Sequence, residues 1–351
     1  MIINELSGVG IMKIIYALQI SIIVLLAVSC ASSNSVNSQK SVFNNYTSVF
    51  PNNEVSDELE SIVKSIKMIN NITFYKRYEF QNGLITAKNL NDKHLLDRAT
   101  IVNNINQTSA GTGTIISNNG TKVALLTVAH IVSYPDTVIK YYTKNGMRTK
   151  YIASIALKVR QQIYADLPEG GRLRLIAKDD KSDIAIVGNS FVGISPLRAP
   201  VLKFKFGTAS ELKWGSFVYI FGFPMGNKMV TRGIVSSPNK GKNGGFLVDA
   251  SINRGSSGGL VFAIRGEAPN FELVGMVSAV PADKEFVLAP YKPKNARDLI
   301  GGVEYSGKIG IKRLVQIKYG IGKIVPVEVI QDFFKKHKEE ILKKGFDLNI
   351  L

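Results

Sequence analysis

Between residues 98 and 195 the chain is a succession of short apolar and β-branched runs broken by Asn, Gly and Asp, and from about residue 200 to 322 the same texture returns. Gly111-Thr-Gly-Thr-Ile-Ile116 and Val123-Ala-Leu-Leu-Thr-Val128 belong to the first set; Val230-Thr-Arg-Gly-Ile-Val-Ser236 and Leu273-Val-Gly-Met-Val-Ser278 belong to the second. Runs of this length between turn formers read as strands. Two sets in succession predict an all-β protein of two antiparallel barrels, the first over 98–195 and the second over 196–325. A chain of 351 residues can bury two such cores, and 45% hydrophobic with 20% charged residues excludes a mainly disordered polymer.

The flanks read differently. Val55, Leu59, Ile62, Val63, Ile66 and Ile69 recur at helical spacing, with Asp57 and Glu60 placed for a capping box, so a short helix is expected in the lead-in over 55–97. Pro326 at a first helical position, apolar Val327, Ile330, Phe334, Ile341 and Leu342, and Gly345 beyond them predict a helix within 326–351. Residues 281–320, with Pro281, Pro290, Pro293 and several lysines, read as a loop inserted in the second barrel: a flap, an oligomer contact or a solvated insertion.

The single cysteine, Cys30, ends an apolar run that starts at Ile14. Leu26-Ala-Val-Ser29 ahead of it resembles a bacterial lipobox, in which the thiol is acylated and the preceding segment removed. Residues 1–29 are then a lipoprotein signal peptide, with Met12-Lys13 the more typical start, and the Ser- and Asn-rich stretch 30–54 is a tether. An uncleaved anchor and an ordinary cleaved signal peptide are the alternatives. Net charge is +17, but the lysines are scattered and no zinc-finger or RNA-recognition pattern occurs, so nucleic acid is not an expected partner. The charge reads as solvated surface, with attraction to anionic lipid a lesser possibility.

Chemistry is concentrated in three places. Asp249-Ala-Ser-Ile-Asn-Arg-Gly-Ser-Ser-Gly-Gly259 puts Ser257 between glycines after an apolar run, where the backbone can turn tightly and aim N–H groups at one point. A serine hydroxyl needs a base. Of three histidines, His94 lies in a polar stretch and His337 among lysines on the predicted terminal helix, where it should face solvent; His130 closes the apolar run from Val123. An acid must orient the imidazole, and Asp183, directly before Ile184-Ala-Ile-Val187, is preferred over Asp179 and Asp180 because only it abuts a strand.

These windows resemble the HtrA/DegP branch of the trypsin-like (chymotrypsin-fold) serine proteases. Thr127-Val-Ala-His130 is similar to that family's histidine segment, Asp183-Ile-Ala185 to its aspartate segment, Asp249–Gly259 to its nucleophile segment, and Gly222-Phe-Pro-Met-Gly226 to the stretch upstream. The resemblance implies two six-stranded barrels with the site between them, and peptide-bond hydrolysis through an acyl-enzyme by His130, Asp183 and Ser257. The backbone N–H groups of Gly255 and Ser257 would form the oxyanion hole, and Ser251, Ile252, Met276, Val277 and Ser278 would line the substrate cleft. No metal or cofactor is implied. The partners are a polypeptide substrate, a membrane reached through acylated Cys30 and, since trimers are common in the family, a homo-oligomer. The address is the bacterial cell envelope. The PDZ domain of many HtrA proteases is not expected after Gly345. With nothing acidic at Ser251 or Ile252, small or medium aliphatic side chains are the expected specificity. Ser256 stands where the family usually has Asn, which makes it the residue that governs the turn. The rival reading is an inert protease-fold module that binds unfolded or partner chains.

Overall fold

The computed structural model describes residues 45–348 apart from 52, 145–146, 169, 192, 194–197, 204, 239–243, 280–281, 291–308 and 318–319. The chain divides into a unit over 1–43 and another over 44–351. The expected signal peptide, Cys30 and most of the tether lie outside the described residues.

The second unit begins with α1 (Ser56–Ser65) and β1 (Ile66–Glu79). Helical spacing carries the apolar pattern on to Ile69, yet Ile66 and Ile69 lie in the strand, 1% and 0% exposed. The run from Ile66 to Tyr75 is dominated by β-branched and aromatic residues, and long pairing on both sides outweighs the helical phase. Nor does a capping box form: Val55 is the N-cap and no side chain caps the helix.

The first barrel then adds β2 (Ile101–Asn118), β3 (Lys122–Thr127), α2 (Ala129–Val132), β4 (Thr137–Lys144), β5 (Met147–Ala165), β6 (Arg172–Asp179) and β7 (Ile184–Ser190). Their order is β1-β2-β3-β7-β6-β5, closed by β1 on β5, with β4 on the outer side of β5. β2 shows how sequence sets position. Its polar first part, to Ala110, alternates between exposed and half-buried, whereas Gly111-Thr-Gly-Thr-Ile-Ile116 is buried throughout. Where β1, β2 and β5 run beyond the barrel, Phe80, Ile85, Leu95, Ile152 and Ile155 form a separate small core that the sequence texture did not announce.

The second half of the chain contains β8 (Lys205–Phe206), β9 (Phe217–Gly222), β10 (Met229–Ser237), β11 (Phe246–Ala250), β12 (Leu260–Ile264), β13 (Phe271–Ala279), β14 (Ala282–Pro290), β15 (Ile309–Ile317) and β16 (Ile321–Pro326). β9-β10-β11-β16-β13-β12 close on themselves, and β8 lies parallel to β13. Within the insertion expected over 281–320, the described residues include a ribbon in which β14 pairs with β15 over nine residues. Phe286, Leu288, Ile309 and Ile311 share one of its faces and are exposed.

The last helix, α3 (Val327–Lys343), follows β16 and buries Val327, Ile330, Phe333, Phe334 and Ile341. Beyond it Phe346 reaches the first barrel beside Gly188, and Lys122 Nζ donates to the Gly345 carbonyl at 2.6 Å. The helix thus ties the two barrels together. His337 does not face solvent as expected. Its side chain is 15% exposed, with Nδ1 on Glu340 and the ring 4.7 Å from that of Phe333. Two closed six-stranded antiparallel barrels with a C-terminal helix are the chymotrypsin-like fold.

Candidate active site

His130 sits in α2, three residues past the end of β3, so the apolar strand fixes where its short helix begins. Asp183 lies directly before β7 with φ +59°, a left-handed conformation that a short Asp side chain tolerates. That turn points both its carbonyl and its carboxylate at α2. The Ala129 N–H donates to the Asp183 carbonyl at 3.2 Å, and the His130 N–H to Oδ1 at 2.9 Å. His130 Nδ1 lies 2.9 Å from Asp183 Oδ2 and 3.1 Å from Oδ1. Ser278 Oγ donates to the same Oδ2 at 2.6 Å. Burial pushes the Asp183 carboxyl up, but the hydrogen bonds from His130 and Ser278 outweigh it and hold the group below the usual carboxylate range. An ionised carboxylate on Nδ1 leaves Nε2 as the nitrogen able to accept a proton.

Ser257 is half-buried in the turn between β11 and β12. Among the described residues no hydrogen bond joins its hydroxyl to His130. The two are brought together through Gly111: a Cβ there would meet Ile131 Cδ1 at 2.6 Å and the Ser257 carbonyl oxygen at 2.8 Å. Only a glycine lets β2 pass between the histidine helix and the serine turn.

The turn itself is arranged to expose donors. Five consecutive carbonyls are occupied: Asn253 by the Ser256 N–H, Arg254 by the Met225 N–H at 2.7 Å, Ser256 by the Gly259 N–H, Ser257 by the Thr112 N–H at 2.7 Å, and Gly255 by the Thr112 hydroxyl at 2.8 Å. The Asn253 N–H goes to Ser256 Oγ and the Arg254 N–H to Asn253 Oδ1. What remains, among the described residues, is the N–H of Gly255 and the N–H of Ser257. Because C=O and N–H of a trans peptide point in opposite directions, holding the Arg254 carbonyl on Met225 aims the Gly255 N–H the other way. A loop with its carbonyls used up and two N–H groups free can receive a negative oxygen.

Two residues that matter here were not singled out for these contacts from sequence. Thr112, fully buried, was seen only as part of a strand; Ser278, expected in the cleft, donates to the aspartate. Among the other cleft residues, Ser251 is exposed, whereas Ile252, Met276 and Val277 are buried. Ile252 Cδ1 would lie 2.1 Å from a Cβ on Gly322, so that side chain fills the space beside β16. A cavity of about 740 Å³ is walled by Ser251, Ile252 and Asn253 together with Phe50, Met225 and Arg232, but its walls include neither His130, Asp183 nor Ser257. It therefore borders the turn without being the site of chemistry. No group of three or more acidic, His or Cys side chains among the described residues is placed to hold a metal.

The chymotrypsin-like fold thus carries a histidine–aspartate pair on one barrel and, among the described residues, a serine turn with two free N–H groups on the other. Residues 111–276, which include His130, Asp183 and Ser257, match the family described as the trypsin-like peptidase domain. A probable periplasmic DegP-like serine endoprotease of Hahella chejuensis is 30% identical over 190 residues, covering 50% of this chain and 34% of its own length. A probable periplasmic serine protease, do/HhoA-like, of Haemophilus influenzae is 33% identical over 119 residues, covering 31% of this chain and 23% of its own. The chain thus spans about a third or less of these relatives. A solved HtrA-type protease with a decapeptide is 17% identical, with a TM-score of 0.46, covering 82% of this chain and 67% of that one.

Proposed function

We propose that the chain is a serine endopeptidase of HtrA/DegP type in which His130, Asp183 and Ser257 act as a triad. His130 Nε2 takes the proton of Ser257 Oγ as that oxygen bonds to the scissile carbonyl carbon. The oxyanion is received by the N–H groups of Gly255 and Ser257. His130 then passes its proton to the leaving amine, giving an acyl-enzyme, and water reverses the sequence to release the acid. The observation that carries this reading is the Asp183 carboxylate bound to His130 Nδ1 at 2.9 Å while the serine turn keeps two N–H groups free. Each such donor is worth on the order of 3 kcal/mol of transition-state stabilisation.

Ile252 beside Gly322, with no acid at 251 or 252, supports a preference for small or medium aliphatic side chains before the scissile bond. Cys30 as an acylated anchor, and the periplasmic relatives, support a place in the bacterial envelope with polypeptide chains as substrate. The test is hydrolysis of an unfolded polypeptide by the full chain, followed as new amino termini and sequenced. Cleavage after Val, Ala or Ile that disappears in Ser257→Ala is expected; cleavage confined to Lys and Arg sites refutes the specificity, and none at all favours the inert binding module.

A further inference from the structure

Of the five carbonyls held around the serine turn, four accept from backbone N–H groups and one, that of Gly255, from a side chain. That side chain is Thr112, in β2 of the opposite barrel and 0% exposed. All its polar groups are spent at this junction. Its hydroxyl donates to the Gly255 carbonyl at 2.8 Å and accepts the Phe223 N–H at 3.0 Å. Its own N–H donates to the Ser257 carbonyl at 2.7 Å, and its carbonyl accepts from Thr127 Oγ1, also at 2.7 Å. One residue therefore grips the turn on both sides of Ser256 and links it to the Pro224–Gly226 turn, whose Met225 N–H holds the Arg254 carbonyl.

We propose that the Thr112 hydroxyl is a positioning residue for the oxyanion donors, acting across the barrel interface. The geometry says how. The Gly255–Ser256 peptide has its carbonyl on Thr112 Oγ1 and its N–H on the Asn253 carbonyl. It lies between the two peptides that carry the free N–H groups, so a rotation of this unit turns both donors away from a common point. Gly255 has φ +97° and offers no side-chain barrier to such a rotation. Without the hydroxyl, the half-buried Gly255 carbonyl and Phe223 N–H both lose their partner, and the turn gains by rotating to find others. Both side-chain bonds run through the hydroxyl, so serine should replace threonine here and valine should not.

This inference rests on the serine-peptidase reading, and the experiment separates the two. In the full chain, Thr112→Val should lower kcat about tenfold with KM within twofold, and Thr112→Ser should restore kcat to within twofold. The affinity of a peptide boronate should fall with kcat while that of a product peptide stays constant, since only the former needs both donors. Independently of activity, amide hydrogen exchange of Ser256 should be slow in the wild type and in Thr112→Ser, and faster in Thr112→Val. The inference is overturned by an unprotected Ser256 amide in the wild type, which needs no variant to fold. It is equally overturned by Val and Ser variants with equal kcat or equal exchange. An inactive wild type would sink the peptidase reading alone, and the exchange rates would still decide the role of Thr112.

Discussion

Gly258→Ala is the substitution whose cost the structure fixes most tightly. Gly258 has φ +86°, and a Cβ on it would lie 2.0 Å from the Thr112 carbonyl oxygen and 2.8 Å from Thr127 Oγ1. A carbon and a carbonyl oxygen approach no closer than about 3.3 Å, so the backbone after Ser257 must move by about 1.3 Å. The left-handed conformation adds about 1–2 kcal/mol for alanine. Movement toward solvent is opposed by the Gly258 N–H, which donates to the Val277 carbonyl at 2.8 Å. A shift of about 1 Å in a reacting group costs on the order of 10²-fold in rate. The rate of inactivation by a fluorophosphonate should thus fall by about 10²-fold, while urea unfolding shows a loss of a few kcal/mol at most, consistent with one local displacement. An alanine variant that reacts at the wild-type rate would refute the argument that Thr112 and the serine turn are in contact.

Three further substitutions test the supports of the site. Ser278→Ala removes a donor from ionised Asp183 and should cost about 1.5–3 kcal/mol of stability at neutral pH. Because the Asp183 carboxyl is held low in the folded protein, that contribution is present above the ordinary Asp range and vanishes as pH falls through the folded-state value; a pH-independent difference in urea unfolding would contradict it. Arg265→Met strips the cation from Glu272, whose side chain is 8% exposed, and from the Tyr46 hydroxyl that moors residues 45–50 to the second barrel. A loss of about 3–5 kcal/mol is expected, with new proteolysis near residue 46, and a loss below 1 kcal/mol would show that the pair is not desolvated. Lys336→Met breaks a 2.8 Å bond to Asp179, which caps the turn leading to Asp183. With Lys336 mostly exposed, under about 1 kcal/mol should be lost, and that loss should fade at high salt.

Much of the fold and of the candidate site was legible because the candidate residues lie at the ends of apolar runs. His130 follows Val123–Val128, Asp183 precedes Ile184–Val187, and Ser257 lies among turn-forming glycines between β11 and β12. Local pattern failed where pairing at a distance decides. Ile66 and Ile69 fit a helix by spacing, but β2 and β5 claim them as strand. The ribbon of β14 and β15 was obscured by the prolines and lysines around it, although Phe286-Val-Leu288 and Ile309-Gly-Ile311 carry a period of two. Thr112 and Ser278 could not be assigned their contacts from sequence because their partners, Gly255 and Asp183, are 143 and 95 residues away. His337, surrounded by lysines, looked solvated because one face of a helix is invisible until its neighbour Phe333 is known to be buried.

In the proposed mechanism Ser257 is a nucleophile activated by His130. Labelling the full chain with a fluorophosphonate and locating the adduct by mass spectrometry reads out that activation. One adduct, on the peptide containing Ser257, absent in Ser257→Ala and slowed by at least 10²-fold in His130→Ala, is the predicted result. No adduct at any pH between 5 and 9, or one that persists in Ser257→Ala, would contradict it.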